Sequence, residues 1–394
     1  MSTVTASAEK PQNGIAGFKH LRQDIVSGIV VSLVSLPLSS GIAIASGVPP
    51  VYGLISAIIA GLIFPFIGGA YQTIAGPAAG LAPALFMIMG WMGGVGDSSK
   101  VGEGYHFLLC VVFMVGVIQI VLAILKLARF AGIIPVSVVE GMLASIGLMI
   151  IVKQVSLLLG YLAPTSGEVP HPHEFIDFIL AVPHYVEHMR VNVFAVGAAT
   201  LVMLFVLDAM SKRFNFLKII PPQLLAVIFG LILGRIINIG ALEKTLISLP
   251  GNPFEHGVSF PNFAELMTRS DLWQAAIVAV IMLTMIDGVE SLATAMAIDR
   301  IDPFKRKSEP NRVLLAMGIS NIASSLVGGL TIIPGGVKSK ANIASGGRTL
   351  WANFTNAICL IIYMLVARDV INMIPLSILA AVLIFTGWKM CRRW

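Results

Sequence analysis

The sequence predicts an all-α, polytopic membrane protein in which two of the spanning segments are broken half-helices. Three observations predict it. Hydrophobic residues make up 57% of the 394 and charged ones 12%, against about 25% charged in an ordinary soluble domain, so the chain has too little polar surface to face water on all sides. Apolar runs recur along almost the whole length, at about the 20 residues that cross a bilayer. Two further stretches are rich in glycine and proline where a spanning helix is due. Irregular backbone survives at membrane depth only where protein or a watery cavity satisfies its polar groups.

Taken in order, residues 1–24 are polar, with Lys10, Lys19 and Arg22 ahead of the first apolar run. They form a cytoplasmic N-terminus and show no cleavable signal peptide. Full spans are expected at 25–46, 51–69, 105–127, 135–159, 191–210, 216–238, 272–298, 312–328, 350–367 and 371–390. The first break lies in Ala70 to Trp91, AYQTIAGPAAGLAPALFMIMGW, where a polar extended segment passes through Gly76-Pro77 into a half-helix over 76–91. The second lies in Ser325 to Thr349, SLVGGLTIIPGGVKSKANIASGGRT. Here an extended strand through Ile332 and Ile333 breaks at Pro334-Gly335-Gly336 and a short helix over 336–346 follows. The free N–H groups of that helix start, with its positive dipole end, face the middle of the membrane. One broken helix in each half is the sequence-level pointer to a transporter binding site between inverted repeats. The plain alternative is a pair of Gly-rich loops between ordinary helices.

A net charge of +6 is also found in nucleic-acid binders, but its placement follows topology instead. With the half-helices counted as crossings there are twelve segments, and the N-terminus and the loops after even-numbered segments hold Lys126, Arg129, Lys212, Arg300, Lys305 and Arg306. The opposite side is mixed or acidic, with Asp97, Glu103, Glu168 and Glu255. The positive-inside rule then places both ends in the cytoplasm of a cell-membrane, multi-pass protein. A repeat is visible as well. Ile134-Pro135-Val136-Ser137 opens the fifth segment and Ile374-Pro375-Leu376-Ser377 the twelfth, seven segments apart, an odd number that inverts the second copy. Two spans follow the first Ile-Pro segment before the next repeat begins and none follows the second, so the second repeat lacks its last two helices. A dimer mate or separate chain could cover the flank this leaves.

Cys110, Cys359 and Cys391 lie in or beside apolar runs without metal spacing and are expected as small core residues. On the outer side, residues 161–190 hold His171, His173, His184 and His188, the last two at i, i+4. Such spacing can bind a metal, but without a completing carboxylate or cysteine pattern a solvated or interfacial helix is the expectation. Residues 239–271 are expected as a connector.

The eighth segment carries the chemistry. Asp287, Glu290, Ser291 and Thr294 follow i, i+3, i+4, i+7 and share one stripe. An acid deep in a span costs roughly 2.5 to 3.5 kcal/mol on insertion scales and marks a functional site by default; the alternatives are a bond to neighbouring backbone or a place at a water-accessible mouth. Lys338 falls in the first turn of the second half-helix, where a cation is locally unfavourable unless an anion or Glu290 neutralises it. Otherwise it snorkels to the cytoplasm, a role that suits Lys340 better.

Five motifs in order, VSLPLSSGIAIASGVPPVYGLISA, GGAYQTIAGPAAG, DGVESLATAMAIDR, GGLTIIPGGVKSKANIASGGRT and IPLSILAAVLIFTGW, resemble the SulP family of anion transporters, from about Asp24 to Trp388. The resemblance implies a seven-plus-seven inverted repeat in which a core domain (segments 1–4 and 8–11, about 25–127 and 272–367) moves against a gate domain (segments 5–7 and 12, about 135–238 and 371–390). It implies an anion held between the half-helices by Gly76, Pro77, Ala78, Ala79, Gly80, Gly335, Gly336 and Val337. Lys338 stands where many members have arginine. Glu290 and Thr294 match the acid and hydroxyl that help bind sodium in sodium-coupled bicarbonate members, with Asp287 beside them. Gly336 and Val337 replace hydroxyl side chains common in relatives, so the anion depends more on backbone N–H groups. The family's last two gate helices and cytoplasmic regulatory domain have no counterpart here, as in a piece of a longer chain or in a member with an unusual gate. Symport of bicarbonate or sulfate with sodium or a proton, and no further cofactor, is the expected activity. An anion channel or exchanger of the same fold is its rival. An intramembrane enzyme is weaker: His106, Glu140 and Asp208 sit near span ends and form neither a serine-histidine pair nor an aspartyl dyad at depth.

Overall fold

Runs of apolar residues become helices of nearly the expected lengths. The computed structural model describes residues 10–96, 101–128, 136–161, 175–211, 222–237, 246, 259–366 and 372–391. A 3₁₀ helix over Gly14–His20 leads into α1 (Leu21–Ala45), followed by α2 (Pro50–Ile67), β1 (Ala75–Pro77), α3 (Ala82–Trp91), α4 (Gly104–Ile124) and α5 (Val136–Leu158). Two short helices, α6 (Phe175–Leu180) and α7 (Val182–Glu187), precede α8 (Val191–Ser211), α9 (Pro222–Ile236) and the short α10 (Phe263–Thr268). The second half holds α11 (Trp273–Ile301), α12 (Pro310–Leu326), β2 (Ile332–Pro334), α13 (Gly336–Ala344), α14 (Trp351–Val366) and α15 (Leu376–Cys391). Among the described residues, Gly14–Ala45, Pro50–Ile67, Gly104–Ile124, Val191–Ser211 and Ser270–Ile301 are long and apolar enough to cross a membrane, and five shorter apolar helices accompany them.

Both predicted breaks are present, with one shift. The first half-helix starts at Ala82 rather than at Gly76, because Ala75–Pro77 is spent on a strand and a turn follows it. β1 pairs antiparallel with β2, Ala75 opposite Pro334 and Pro77 opposite Ile332. The second half-helix begins at Gly336 as expected. Each proline thus sits at the end of a three-residue strand, where its missing N–H is tolerated.

The neighbours of each element fall into pairs. α1 packs on α2 and α14, and α11 correspondingly on α12 and α4. α2 packs on α14 as α4 does on α12, and α1 touches α13 as α11 touches α3. Exchanging the halves reproduces these contacts, and the paired strands run in opposite directions. α4 and α12 cross closely at a pair of facing glycines. A Cβ on Gly116 would lie 2.7 Å from the Gly318 carbonyl, and one on Gly318 equally close to that of Gly116; only glycine lets the two backbones approach so far. α5, α8, α9 and α15 form a second set, with α15 packed on α5 and α8, and α9 on α8. The exposed apolar residues of that set lie in helical rows, Val202, Val206 and Met210 on α8 and Ile228, Ile232 and Ile236 on α9. Ile134-Pro135, His171, His173 and most of the 239–271 connector lie outside the described residues.

Candidate functional site

Where helices break inside a membrane, the freed backbone groups need partners. Polar side chains named by no apolar period supply them. The backbone N–H of Ile332 donates to Asn321 Oδ1 at 2.6 Å, and that of Leu330 to Ser56 Oγ at 2.6 Å. Between the strands, Gly335 N donates to the Ile74 carbonyl at 2.8 Å. Ser339 closes the corner: its hydroxyl accepts from Ile74 N at 2.9 Å and donates to the Gly335 carbonyl at 2.7 Å. Asn342 Nδ2 donates to the Gln72 carbonyl at 2.9 Å, and Gln72 Nε2 to that of Gly347 at 2.7 Å. The two breaks are therefore one bonded unit with a fixed relative position.

The acids of α11 divide. Asp287 is fully buried and its carboxylate accepts from Gln119 Nε2 (2.7 Å), Ser291 Oγ (3.2 Å) and Asn321 Nδ2 (3.3 Å). Because Asn321 also holds β2, Asp287 is a fixed point of the scaffold, joining α4, α11 and α12 behind the strand. Glu290, one turn on, is 5% exposed and its Oε2 has no hydrogen-bond partner. Its carboxylate lies against Gly80, in the turn just ahead of α3, so closely that a Cβ there would overlap it. Thr294 follows on the same face, its methyl 3.7 Å from where a Cβ on Gly336 would stand.

Lys338 does not snorkel. It is 1% exposed, whereas Lys340 is exposed. Its side chain folds back over Gly335, whose Cβ position lies 2.8 Å from Cε, and its ammonium reaches Gly76 in β1. Nζ has no hydrogen-bond partner, so the neutralisation by Glu290 that the sequence allowed is not made by direct bonding. A buried ammonium without a partner is costly. Two unpaired, opposite ionic groups thus stand within a turn of the two helix starts, on ground lined by Gly76, Gly80, Gly335 and Gly336.

The other expected contacts differ in kind. Pro77 is held in β1, Ala78 is buried in the apolar core and Ala79 packs against it. Val337 is partly buried against the same core. Gly335, Gly336 and Val337 keep some exposure in otherwise buried surroundings. Sequence reasoning missed Gln119, Asn321, Ser339 and Lys153. A lone glutamine in α4 and a lone lysine in α5, each inside an apolar run, were the available signals.

Because Asp287 accepts three hydrogen bonds, Asp287→Asn turns an amide donor toward at least one donor. Expected is a loss of about 1–3 kcal/mol for the unpaired groups, read as a lower melting temperature, with the cation response of the protein unchanged. An altered cation response at unchanged melting temperature would assign Asp287 to the ion site instead of the scaffold.

Paired half-helices that start beside buried, unpartnered polar side chains define a multi-pass membrane protein of the broken-helix type. The chain belongs to the sulfate permease family, whose model matches residues 21–394. It is 24% identical over 384 residues to the bicarbonate transporter BicA of Picosynechococcus sp., covering 95% of this chain and 64% of that protein. It is 25% identical over 373 residues to the chloroplastic sulfate transporter 4.1 of Arabidopsis thaliana, covering 93% of this chain and 51% of that one. The fold is similar to the solved transmembrane domain of a cyanobacterium bicarbonate transporter, BicA, with TM-score 0.78, 24% identity and coverage of 95% of this chain and 89% of that domain. The chain spans about half to two thirds of the length of the curated relatives it matches.

Proposed function

We propose that this chain carries a small inorganic anion, bicarbonate or sulfate, across the membrane together with sodium or a proton. The observation that carries the reading is the buried, unpartnered ammonium of Lys338 folded against Gly76 between the two helix starts. An anion there gains the lysine charge, free N–H groups and two dipole ends. The cation belongs at Glu290 and Thr294, where Oε2 is unpaired and a hydroxyl lies one turn along the same face. With Glu290 charged, Lys338 and the dipole ends leave the empty site near balance. An anion alone adds negative charge in a low-dielectric core, met only by the partial charges of the dipole ends, and charge left unpaired there is costly. A cation brought with each anion removes that cost.

The moving parts in this reading are the core, α1–α4 and α11–α14, and the gate, α5, α8, α9 and α15. Lys153 of α5 supports a seam closed at one end. Its ammonium donates to the Ala45 carbonyl at the end of α1 at 2.6 Å and lies 3.2 Å from the centroid of the Phe86 ring on α3. Both termini lie in the cytoplasm, as the basic loops direct, which puts this contact on the outer side. Relatives named for bicarbonate and for sulfate transport match about equally well, and a site made largely of N–H groups rewards charge and size over chemical detail.

Counter-flow of labelled bicarbonate and of sulfate in proteoliposomes, with and without a sodium gradient and at two pH values, tests the function. Uptake of at least one anion that responds to sodium or to pH is expected. Counter-flow indifferent to both makes the protein an exchanger, and conductance without counter-flow makes it a channel.

A further inference from the structure

The structure sets a carboxylate, Glu187, beside the His184 and His188 pair. α7 ends at Glu187 with His188 as its cap, so His184, Glu187 and His188 occupy i, i+3 and i+4 of one turn and share a face. One ligand atom from each lies within 4.8 Å of the other two. A tetrahedral set at Zn–N bonds of about 2.1 Å needs separations of roughly 3.4 Å, and Glu187 and His188 are exposed enough to rotate inward.

The outer bonds of the rings leave one nitrogen of each free for a metal. His188 Nδ1 lies 3.0 Å from the His184 carbonyl; donating its N–H there leaves Nε2 as the unprotonated ligand. His184 Nε2 lies 3.3 Å from the Tyr161 hydroxyl, which leaves Nδ1. Tyr161 follows the end of α5, and its ring packs tilted on Tyr185 at 4.8 Å and edge-on to His184 at 5.5 Å and His188 at 6.3 Å. The turn is thus backed by Tyr161, which comes from the segment that follows α5.

We propose that His184, Glu187 and His188 bind a divalent transition-metal cation of the zinc class at the surface end of α5. Two imidazoles and a carboxylate suit zinc and its neighbours rather than calcium or magnesium, which take oxygen ligands. Three protein ligands leave a coordination position to water. The site is separate from the Glu290 and Lys338 region and does not depend on the transport reading. Its effect is to staple the turn of α7 against Tyr161 and so against the end of α5.

The test is calorimetric titration of zinc chloride into the full chain, purified in detergent with any affinity histidines removed. One zinc per chain is expected, weakened by about tenfold or more in His188→Ala and in Glu187→Gln, as loss of a ligand should cost at least as much as loss of an outer-shell partner. Both side chains are exposed, and an unchanged elution profile checks that each variant is folded. A His171→Ala/His173→Ala variant should bind zinc as the wild type does. No heat of binding in the wild type, unchanged affinity in both single variants, or loss of binding in the His171 and His173 variant overturns the proposal.

Discussion

Glu290→Gln is expected to keep anion binding while losing the response to the coupling ion. Glutamine preserves the shape of a buried side chain whose Oε2 makes no hydrogen bond and mimics the carboxylate once a cation has neutralised it. Coupling free energies between sites are typically about 1–3 kcal/mol, or roughly 5- to 150-fold, so the ratio of anion affinity with and without the coupling ion should fall from that range to near unity. The measurement is anion affinity in the variant and wild type across sodium concentration and pH. A variant that retains the wild-type ratio removes Glu290 from the coupling role.

The second large effect is expected at glycines that carry no chemistry of their own. A Cβ at Gly76 would overlap the Lys338 ammonium, and one at Gly80 the Glu290 carboxylate. In both cases the atom met is the far end of a long side chain, so the fold can yield without unravelling while the charge is displaced. Loss of a charge-assisted contact is worth about 1.5–3 kcal/mol, which is roughly 10- to 150-fold in affinity. Gly76→Ala should therefore weaken anion binding by that order, and Gly80→Ala should blunt the coupling-ion response, both at nearly unchanged melting temperature. Binding and coupling intact in both variants would mean that the two ionic groups do not form the site.

Much of this arrangement was legible because the membrane leaves few choices. A run such as GYHFLLCVVFMVGVIQIVLAI over 104–124 can be little but a spanning helix, and TIIPGGVK can be little but a break where a span is due. The stripe through Asp287, Glu290 and Thr294 was legible from its spacing. What spacing could not show was which acid is bonded. That depends on Gln119 and Asn321, which come from two other helices and converge on Asp287 through tertiary packing. The start of the first half-helix was misplaced for a related reason. Gly76-Pro77 reads locally as a helix start, but the partner strand at Ile332–Pro334 draws those residues into a ladder. The sequence around Lys338 allows two fates, and only the position of β1 decides that its ammonium meets Gly76.

In the proposed mechanism the unpaired ammonium of Lys338 is the anion's counter-charge. Equilibrium binding of labelled bicarbonate and sulfate to purified wild type and Lys338→Met tests it most directly. Methionine keeps the length and the apolar stem, and replacing an unpaired buried cation with a hydrophobe should leave the fold at least as stable. Anion affinity is expected to fall by about tenfold or more, the value of a charge-assisted bond, at a melting temperature equal to or above that of the wild type. Wild-type anion affinity in Lys338→Met would contradict it.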